Sequence, residues 1–198
     1  SEMCIRDRVL AFATSALREA KNGAAIINEI NAKYEIDLQV LNGDDEASMT
    51  FLAVRRWLGW SAGKLLVLDI GGGSLEIASG INELPDATLS LPLGAARSTR
   101  EFLGEDPYTS KGIRNLEKHA AEMLSSNIPE ALLSHDANHF VATSKTFRTL
   151  ARICAHWYGD NQKFLERSSL ELAVPKLIAM NTNCLLYTSP SPRDRTRY

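Results

Sequence analysis

The sequence predicts a mixed α/β fold. Three observations carry this prediction: residues 65–79 have the pattern of a strand, a tight turn and a returning strand, residues 110–128 are amphipathic at helical spacing, and the connections between such segments are short. The chain has 198 residues, of which 44% are hydrophobic, so it is long enough to bury a core. Its formal charge of −2 shows no basic excess, which argues against nucleic acid or an anionic membrane surface as a partner.

The first part of the chain predicts two helices and then a strand. The first helix begins at the capping residues Thr14 and Ser15 and ends at the Asn-Gly pair 22–23, which is a typical stop signal. A second helix follows at once and runs to Tyr34. Residues 36–41 then alternate as a short strand.

A third helix is predicted after the turn that follows this strand. Either Asp44 or Asp45 caps it, and Glu46 therefore lies in its first turn, where the helix dipole favours a carboxylate. Its apolar residues fall at helical spacing, namely Ala47, Phe51, Val54 and Leu58.

Three consecutive glycines separate two predicted strands in LLVLDIGGGSLEIASG, residues 65–80. Neither a Rossmann nor a P-loop pattern is present, and the alternation after Gly73 predicts a returning strand. In a hairpin whose loop is residues 71–74, Asp69 lies opposite Glu76. One face is then a core face, with Leu66, Leu68, Ile70, Leu75 and Ile77. The other face carries Val67, Asp69, Glu76 and Ala78.

Asp69 and Glu76 would thus hold their Cβ atoms about 5 Å apart, which is destabilising for like charges unless something lies between them. A divalent cation meets that need. Oxygen ligands suit Mg²⁺, which keeps several waters and commonly bridges to substrate phosphate. A carboxylate pair that is simply solvated is the alternative.

The glycines predict a cradle for an oxyanion. Without Cβ atoms, Gly71, Gly72 and Gly73 let backbone N–H groups approach the anion and adopt positive φ to point at it, and Ser74 adds a hydroxyl. A tight turn without a ligand is the alternative.

The remaining segments continue the α/β pattern. Residues 88–97 predict a strand that runs into a helix, and Pro129 closes a long helix that begins near Ser110. Residues 139–153 predict a strand, a loop and a helix. The three tryptophans, Trp57, Trp60 and Trp157, are expected to be core or packing residues and not a stacking platform, and the four histidines show no metal-ligand spacing.

Four segments in order resemble the exopolyphosphatase and guanosine pentaphosphate phosphohydrolase family, a branch of the actin-like (ribonuclease H-like) fold. They are residues 13–22, 42–48, 69–76 and 141–153. The resemblance spans about residues 9–180 and is closest to the actinobacterial branch. It implies an actin-like two-domain α/β fold that is incomplete at both ends.

The resemblance also implies domains. Residues 9–64 would be the C-terminal part of the first actin-like domain, and residues 65–183 an incomplete second one. The family begins with another glycine-containing phosphate hairpin, which has no counterpart before residue 9. We therefore expect half a cleft and an inactive fragment.

The resemblance assigns roles to the site residues. Glu46 would be the general base for the attacking water, and Arg18 would neutralise charge on the transferred group, although on sequence alone Arg18 is equally a surface arginine. Asp69 and Glu76 would hold Mg²⁺, or another divalent cation, or order the water. Two segments would bind phosphate, namely Gly71, Gly72, Gly73 and Ser74, and Thr143, Ser144 and Thr146.

The implied activity is metal-dependent hydrolysis of the terminal phosphoanhydride of inorganic polyphosphate, or of guanosine pentaphosphate. This chemistry needs positioning, charge stabilisation and an oriented water, and the residues supply all three. An actin-like ATPase or sugar kinase is one alternative. A polyphosphate-binding protein without catalysis is the other.

The two ends differ in character from the rest of the chain. Residues 1–8 and 184–198 follow no helical or strand period, and we expect both to be non-native.

The three cysteines, Cys4, Cys154 and Cys184, are widely spaced and expected to be free thiols in a reducing compartment. No apolar run is long enough for a membrane span, so a cytoplasmic location is expected, and a homodimer is left open.

Overall fold

The computed structural model describes residues 10–133 and 136–180, which form two sheets flanked by helices. The strands are β1 (Ala11–Ala13), β2 (Leu38–Val40), β3 (Leu65–Ile70), β4 (Leu75–Gly80), β5 (Ala87–Leu91) and β6 (His139–Thr143). The helices are α1 (Ser15–Arg18), α2 (Gly23–Tyr34), α3 (Gly43–Leu58), α4 (Ala95–Phe102), α5 (Ser110–Asn127), α6 (Glu130–Leu133), α7 (Ser144–Tyr158) and α8 (Arg167–Ile178). The predicted α/β class is confirmed.

The larger sheet has the strand order β5-β4-β3-β6. Strands β3 and β4 pair in the predicted antiparallel register, which sets Asp69 opposite Glu76 and Ile70 opposite Leu75. Strand β5 runs antiparallel to β4, and β6 runs parallel to β3. In the smaller sheet, β1 and β2 are parallel.

Both faces of the β3–β4 hairpin are buried. The predicted core face packs Leu66, Leu75 and Ile77 against Leu132. The opposite face is covered by helix α3, whose Phe51 is fully buried and packs with Ala47, Val54, Ala62, Leu65, Val67 and Ala78. The carboxylates of this second face therefore stand at the edge of a packed layer instead of on an open surface.

Arg55 holds helix α3 on the sheet. It is 1% exposed, and its guanidinium donates hydrogen bonds to the carbonyl oxygens of Gly63 at 2.7 Å, Gly80 at 3.0 Å and Asn82 at 3.2 Å. These bonds satisfy a buried charge with backbone dipoles and join the C-terminal half of α3 to the end of β4.

Several local predictions are wrong. Helix α3 is capped by Asn42, whose Oδ1 accepts from the N–H of Asp45 at 2.8 Å, and not by Asp44 or Asp45. Asn42, in the turn before the two aspartates, binds the backbone donors that they would otherwise cap, so the helix begins earlier than predicted.

The first helix is also shorter than predicted. Helix α1 has only four residues, and a strand that was not predicted, β1, precedes it. The chain enters α7 directly from β6 at Ser144, without the predicted loop.

Two of the tryptophans expected to be core or packing residues lie on the surface. Trp57 is 88% exposed and Trp60 is 65% exposed, whereas Trp157 is half-buried. The buried side of α3 includes Val54 and Arg55, and Trp57 points away from it. Helical geometry around a single buried stripe therefore decides the exposure of Trp57.

No helix in the described part of the chain is long and apolar enough to cross a membrane. Cys154 is a buried free thiol, in line with the prediction for it. Cys4, Cys184, His135 and the two ends expected to be non-native lie outside the described residues.

Candidate active site

The β3–β4 hairpin, helix α3 and the residues that follow strands β1 and β2 line a cavity of about 290 Å³. Six predicted site residues line it: Glu46, Asp69, Gly71, Gly72, Ser74 and Glu76. Thr14 and Ser15 line it from the start of α1, and they had no predicted role in the site. Residues far apart in the chain thus share one concave site, which is the usual form of a small-molecule site.

Arg18 contacts Glu46 directly. Its guanidinium donates a hydrogen bond to Glu46 Oε2 at 2.7 Å and a second one to the carbonyl oxygen of Leu41. The side chains are 27% and 14% exposed, so Arg18 is not a solvated surface arginine. The pair orients the Glu46 carboxylate at the mouth of the cavity.

Glu76 is the most buried carboxylate of the site. Its side chain accepts a hydrogen bond from Ser90 Oγ at 3.1 Å, and the Ser74 hydroxyl is a second polar group near it. Burial raises the pKa of Glu76 above its ordinary value of 4.5, and the negative charges of Glu46 and Asp69 raise it further, against the lowering effect of the two serines. Three carboxylates therefore repel one another around the cavity.

These carboxylates fit a hard divalent cation. Their donor atoms are all oxygen, and Asp69 and Glu76 stand on paired strands at the cavity edge. Within residues 10–133 and 136–180 there is no group of three or more His, Cys, Asp or Glu residues already arranged to hold a metal. Mg²⁺ needs no such group, because one or two carboxylates with waters and substrate oxygens complete its shell.

The glycine loop, residues 71–74, is anchored by helix α4. The N–H of Gly71 donates to the Ser74 carbonyl oxygen at 2.9 Å and closes the turn. The carbonyl oxygens of the three glycines accept hydrogen bonds from α4, namely from Ala95 N at 2.9 Å, Arg97 N at 3.0 Å and Arg97 Nε at 2.8 Å. These bonds turn the loop carbonyls away from the cavity, as an anion site requires.

The loop glycines do not adopt positive φ, contrary to the prediction. Of the three, only Gly73 is closely packed. A Cβ atom on Gly73 would lie 2.7 Å from Ser15 Oγ, whereas Gly71 and Gly72 have more room. Gly94, which precedes α4, makes the closest contact with the loop, since a Cβ atom on it would lie 2.3 Å from the Gly73 carbonyl carbon. The loop is thus pressed between α1 and α4.

The segment at the start of α7 supports strand β3. Thr143 Oγ1 donates to Asp69 Oδ2 at 2.7 Å, and Thr146 Oγ1 donates to the carbonyl oxygen of Ile70 at 3.1 Å. Ser144, between them, has φ of +78°, a strained value for a residue with a side chain. Thr143 therefore orients one of the predicted metal ligands, while phosphate binding by this segment stays a prediction.

Besides Thr14 and Ser15, three further residues that sequence reasoning missed shape the site: Ser90, Gly94 and Arg97. Arg97 also forms an ion pair with Glu19, which joins α4 to the residue after α1. The strand-to-helix segment at residues 88–97 was predicted, but the pattern contains no sign of what it would touch. Gly94, a glycine at the start of a predicted helix, is the one local signal that another part of the backbone approaches this segment closely.

The raised pKa of Glu76 predicts a pH effect on stability. In metal-free protein the folded state binds the Glu76 proton more readily than the unfolded state, so stability falls as pH rises through the raised pKa. We expect Glu76→Gln to stabilise the metal-free protein near neutral pH and to have no such effect at acidic pH. Urea unfolding in EDTA at a series of pH values measures this difference. Equal wild-type and variant stability at every pH contradicts the prediction.

Solved structures share this α/β architecture. The structure of the Aquifex aeolicus PPX-GPPA enzyme superposes with a TM-score of 0.71 at 24% identity, over 96% of this chain and 62% of that chain. An exopolyphosphatase from Cytophaga hutchinsonii gives a TM-score of 0.70 at 23% identity, over 87% and 57%. The chain therefore has the predicted actin-like fold.

Family membership rests on the sequence itself. Residues 3–193 match the model of the Ppx/GppA phosphatase family, and the chain belongs to that family. Among its curated relatives, Exopolyphosphatase 1 of Mycobacterium tuberculosis is 48% identical over 145 residues, which are 73% of this chain and 42% of the relative. Exopolyphosphatase 1 of Mycobacterium leprae is 49% identical over 145 residues, 73% of this chain and 43% of the relative. The chain thus spans less than half the length of these relatives, and the resemblance found in the four motifs is confirmed.

Proposed function

We propose that the protein from which this chain comes is a metal-dependent phosphohydrolase that releases terminal phosphate from inorganic polyphosphate. One observation carries the proposal: the Glu46 carboxylate, two opposed carboxylates and a glycine loop surround a single cavity. The mycobacterial relatives named Exopolyphosphatase 1 support the choice of substrate. Guanosine pentaphosphate, which ends in the same phosphoanhydride, is the second substrate that we propose to test.

In this proposal, Glu46 is the general base. Its carboxylate accepts a proton from a water while the water oxygen attacks the terminal phosphorus, and the bridging P–O bond breaks so that its electron pair leaves with the shortened polyphosphate. The Arg18 hydrogen bond holds the carboxylate in one orientation before substrate arrives. The guanidinium then lies next to the transferred phosphoryl group, whose charge it offsets.

Asp69 and Glu76 are the proposed ligands of Mg²⁺ or another divalent cation. When bound, the cation supplies Lewis acidity and neutralises phosphate charge. The protein contributes the positions: Thr143 orients Asp69, and pairing of β3 with β4 sets the distance between the two carboxylates. The N–H groups of Gly72 and Gly73 and the Ser74 hydroxyl would donate to the oxygens of the bound phosphate, whereas the Gly71 N–H is used to close the turn.

The wider organisation is part of the same proposal. We infer that residues 9–64 are the C-terminal part of a first actin-like domain, and that residues 65–183 are an incomplete second domain. The remaining parts of both domains would come from the length that the relatives have beyond the match. A cytoplasmic location suits a polyphosphate substrate, and self-association as a homodimer is to be tested by sedimentation.

The experiment is phosphate release from long-chain polyphosphate, with and without Mg²⁺, by this chain and by a full-length protein that carries the same residues. We expect Mg²⁺-dependent release by the full-length protein and little by this chain. Consumption of ATP with a sugar acceptor, in preference to polyphosphate, would favour a kinase. Polyphosphate binding without turnover by the full-length protein would identify a binding protein instead.

A further inference from the structure

We propose that Ser90 is a positioning residue that sets the Glu76 carboxylate for its cation and holds it at a constant distance from the helix that carries Glu46. The inference rests on the proposed metal-dependent hydrolysis. Ser90 lies on β5, directly opposite Glu76 on β4. Its hydroxyl donates to Glu76 Oε1 at 3.1 Å.

A second contact places Ser90 against the start of α3. A Cβ atom on Gly43 would lie 2.3 Å from Ser90 Cβ and 2.4 Å from Ser90 Oγ, so the backbone of Gly43 rests on this serine. Gly43 is the first residue of α3, and Glu46 follows three residues later, in the same turn. One side chain thus touches both the helix of the base and the buried carboxylate.

The chemistry of this position selects a small hydroxyl. Any larger side chain would press on Gly43, where the contact leaves no room for added atoms. An alanine would keep the packing but remove the donor, and one Glu76 oxygen would then lose its partner in a buried setting. Hydrogen bonds to metal-binding carboxylates orient them, and their removal typically weakens metal binding by about 10- to 100-fold.

Thr88 offers a matched control on the same strand. Its hydroxyl donates to Asp44 Oδ1 at 3.0 Å, so it also bonds β5 to the first turn of α3, but away from the cavity. Replacing Thr88 with valine removes one hydroxyl while keeping the shape. A general weakening of the contact between β5 and α3 would therefore affect both variants.

The test measures Mg²⁺ binding by calorimetry, without substrate, and then kcat and KM for polyphosphate, in a full-length protein carrying these residues. We expect Ser90→Ala to weaken Mg²⁺ binding about tenfold and to lower kcat at fixed Mg²⁺, with KM near that of wild type and activity partly restored by excess Mg²⁺. Thr88→Val should match wild type in both measurements.

Each outcome has a separate meaning. Equal Mg²⁺ affinity of wild type and Ser90→Ala overturns the role of Ser90 and leaves the proposed function standing. An equal loss in Thr88→Val reduces Ser90 to a packing residue. A wild type that releases phosphate but binds no Mg²⁺ overturns the cation assignment and the role of Ser90 together, and a wild type that binds Mg²⁺ but releases no phosphate contradicts only the proposed function.

Discussion

In a full-length protein that carries these residues, replacing Glu46 with glutamine is expected to lower kcat for phosphate release from polyphosphate by about 100-fold or more, while leaving polyphosphate binding measurable. Glutamine keeps the shape of the side chain but cannot accept the proton of the attacking water. It also releases Arg18 from its ion pair, and the free guanidinium would bind substrate phosphate at least as well as before. We therefore expect the loss in kcat with KM unchanged or lowered.

Asp45→Asn is the matched control for this experiment. Asp45 lies in the same turn of α3 and carries the same charge, but it is exposed and outside the cavity. The control removes one negative charge from the helix start without touching the site, so its turnover should stay near that of wild type. Steady-state phosphate release by both variants, with binding measured separately, decides the question. Wild-type turnover in Glu46→Gln would remove Glu46 as the base.

Replacing Gly94 with alanine is expected to disrupt the glycine loop. The new Cβ would lie 2.3 Å from the Gly73 carbonyl carbon, 2.3 Å from Ser74 N and 2.5 Å from the Gly72 carbonyl carbon. All three atoms are backbone, so no side-chain rotation relieves the contact. Either α4 or the loop must move, and the bonds from α4 to the loop carbonyls then weaken.

For Gly94→Ala we expect a loss of about 2 to 3 kcal/mol in the free energy of unfolding, together with weaker polyphosphate binding. Urea unfolding and a binding titration measure the two effects. Gly104→Ala is the control, because nothing lies within 4 Å of its Cβ and its φ is not in the left-handed range. Unfolding of Gly94→Ala at the wild-type urea concentration would show that the loop and α4 are not tightly packed.

Local patterns were sufficient to predict the hairpin. A strand has a side-chain period of two, and a four-residue loop leaves one register in which the apolar residues share a face. That register sets Asp69 opposite Glu76, and the structure has it. The placement of Glu46 in the first turn of α3 followed from the cluster of helix-starting residues before it, although the wrong residue was chosen as the cap.

The same patterns did not predict the burial of residues whose environment depends on contacts between elements distant in the sequence. The alternation of residues in a strand distinguishes its two faces, but it does not indicate that α3 covers the second face. For this reason the sequence analysis did not predict burial of the carboxylate face. The exposure of Trp57 was missed for the same reason. Helix α3 packs one side on the sheet, and Trp57 is not among the residues on that side.

The sequence by itself determined the α/β class, the hairpin with its opposed carboxylates and, through four motifs, the family. These depend on interactions between residues close in the chain, or on patterns read in order. Only the tertiary structure decided that Arg18 meets Glu46 across 28 positions, that Ser90 meets Glu76, and that Gly94 presses on the glycine loop. Such contacts arise when strands pair and helices pack onto them, and no local period encodes which distant atoms that packing brings together.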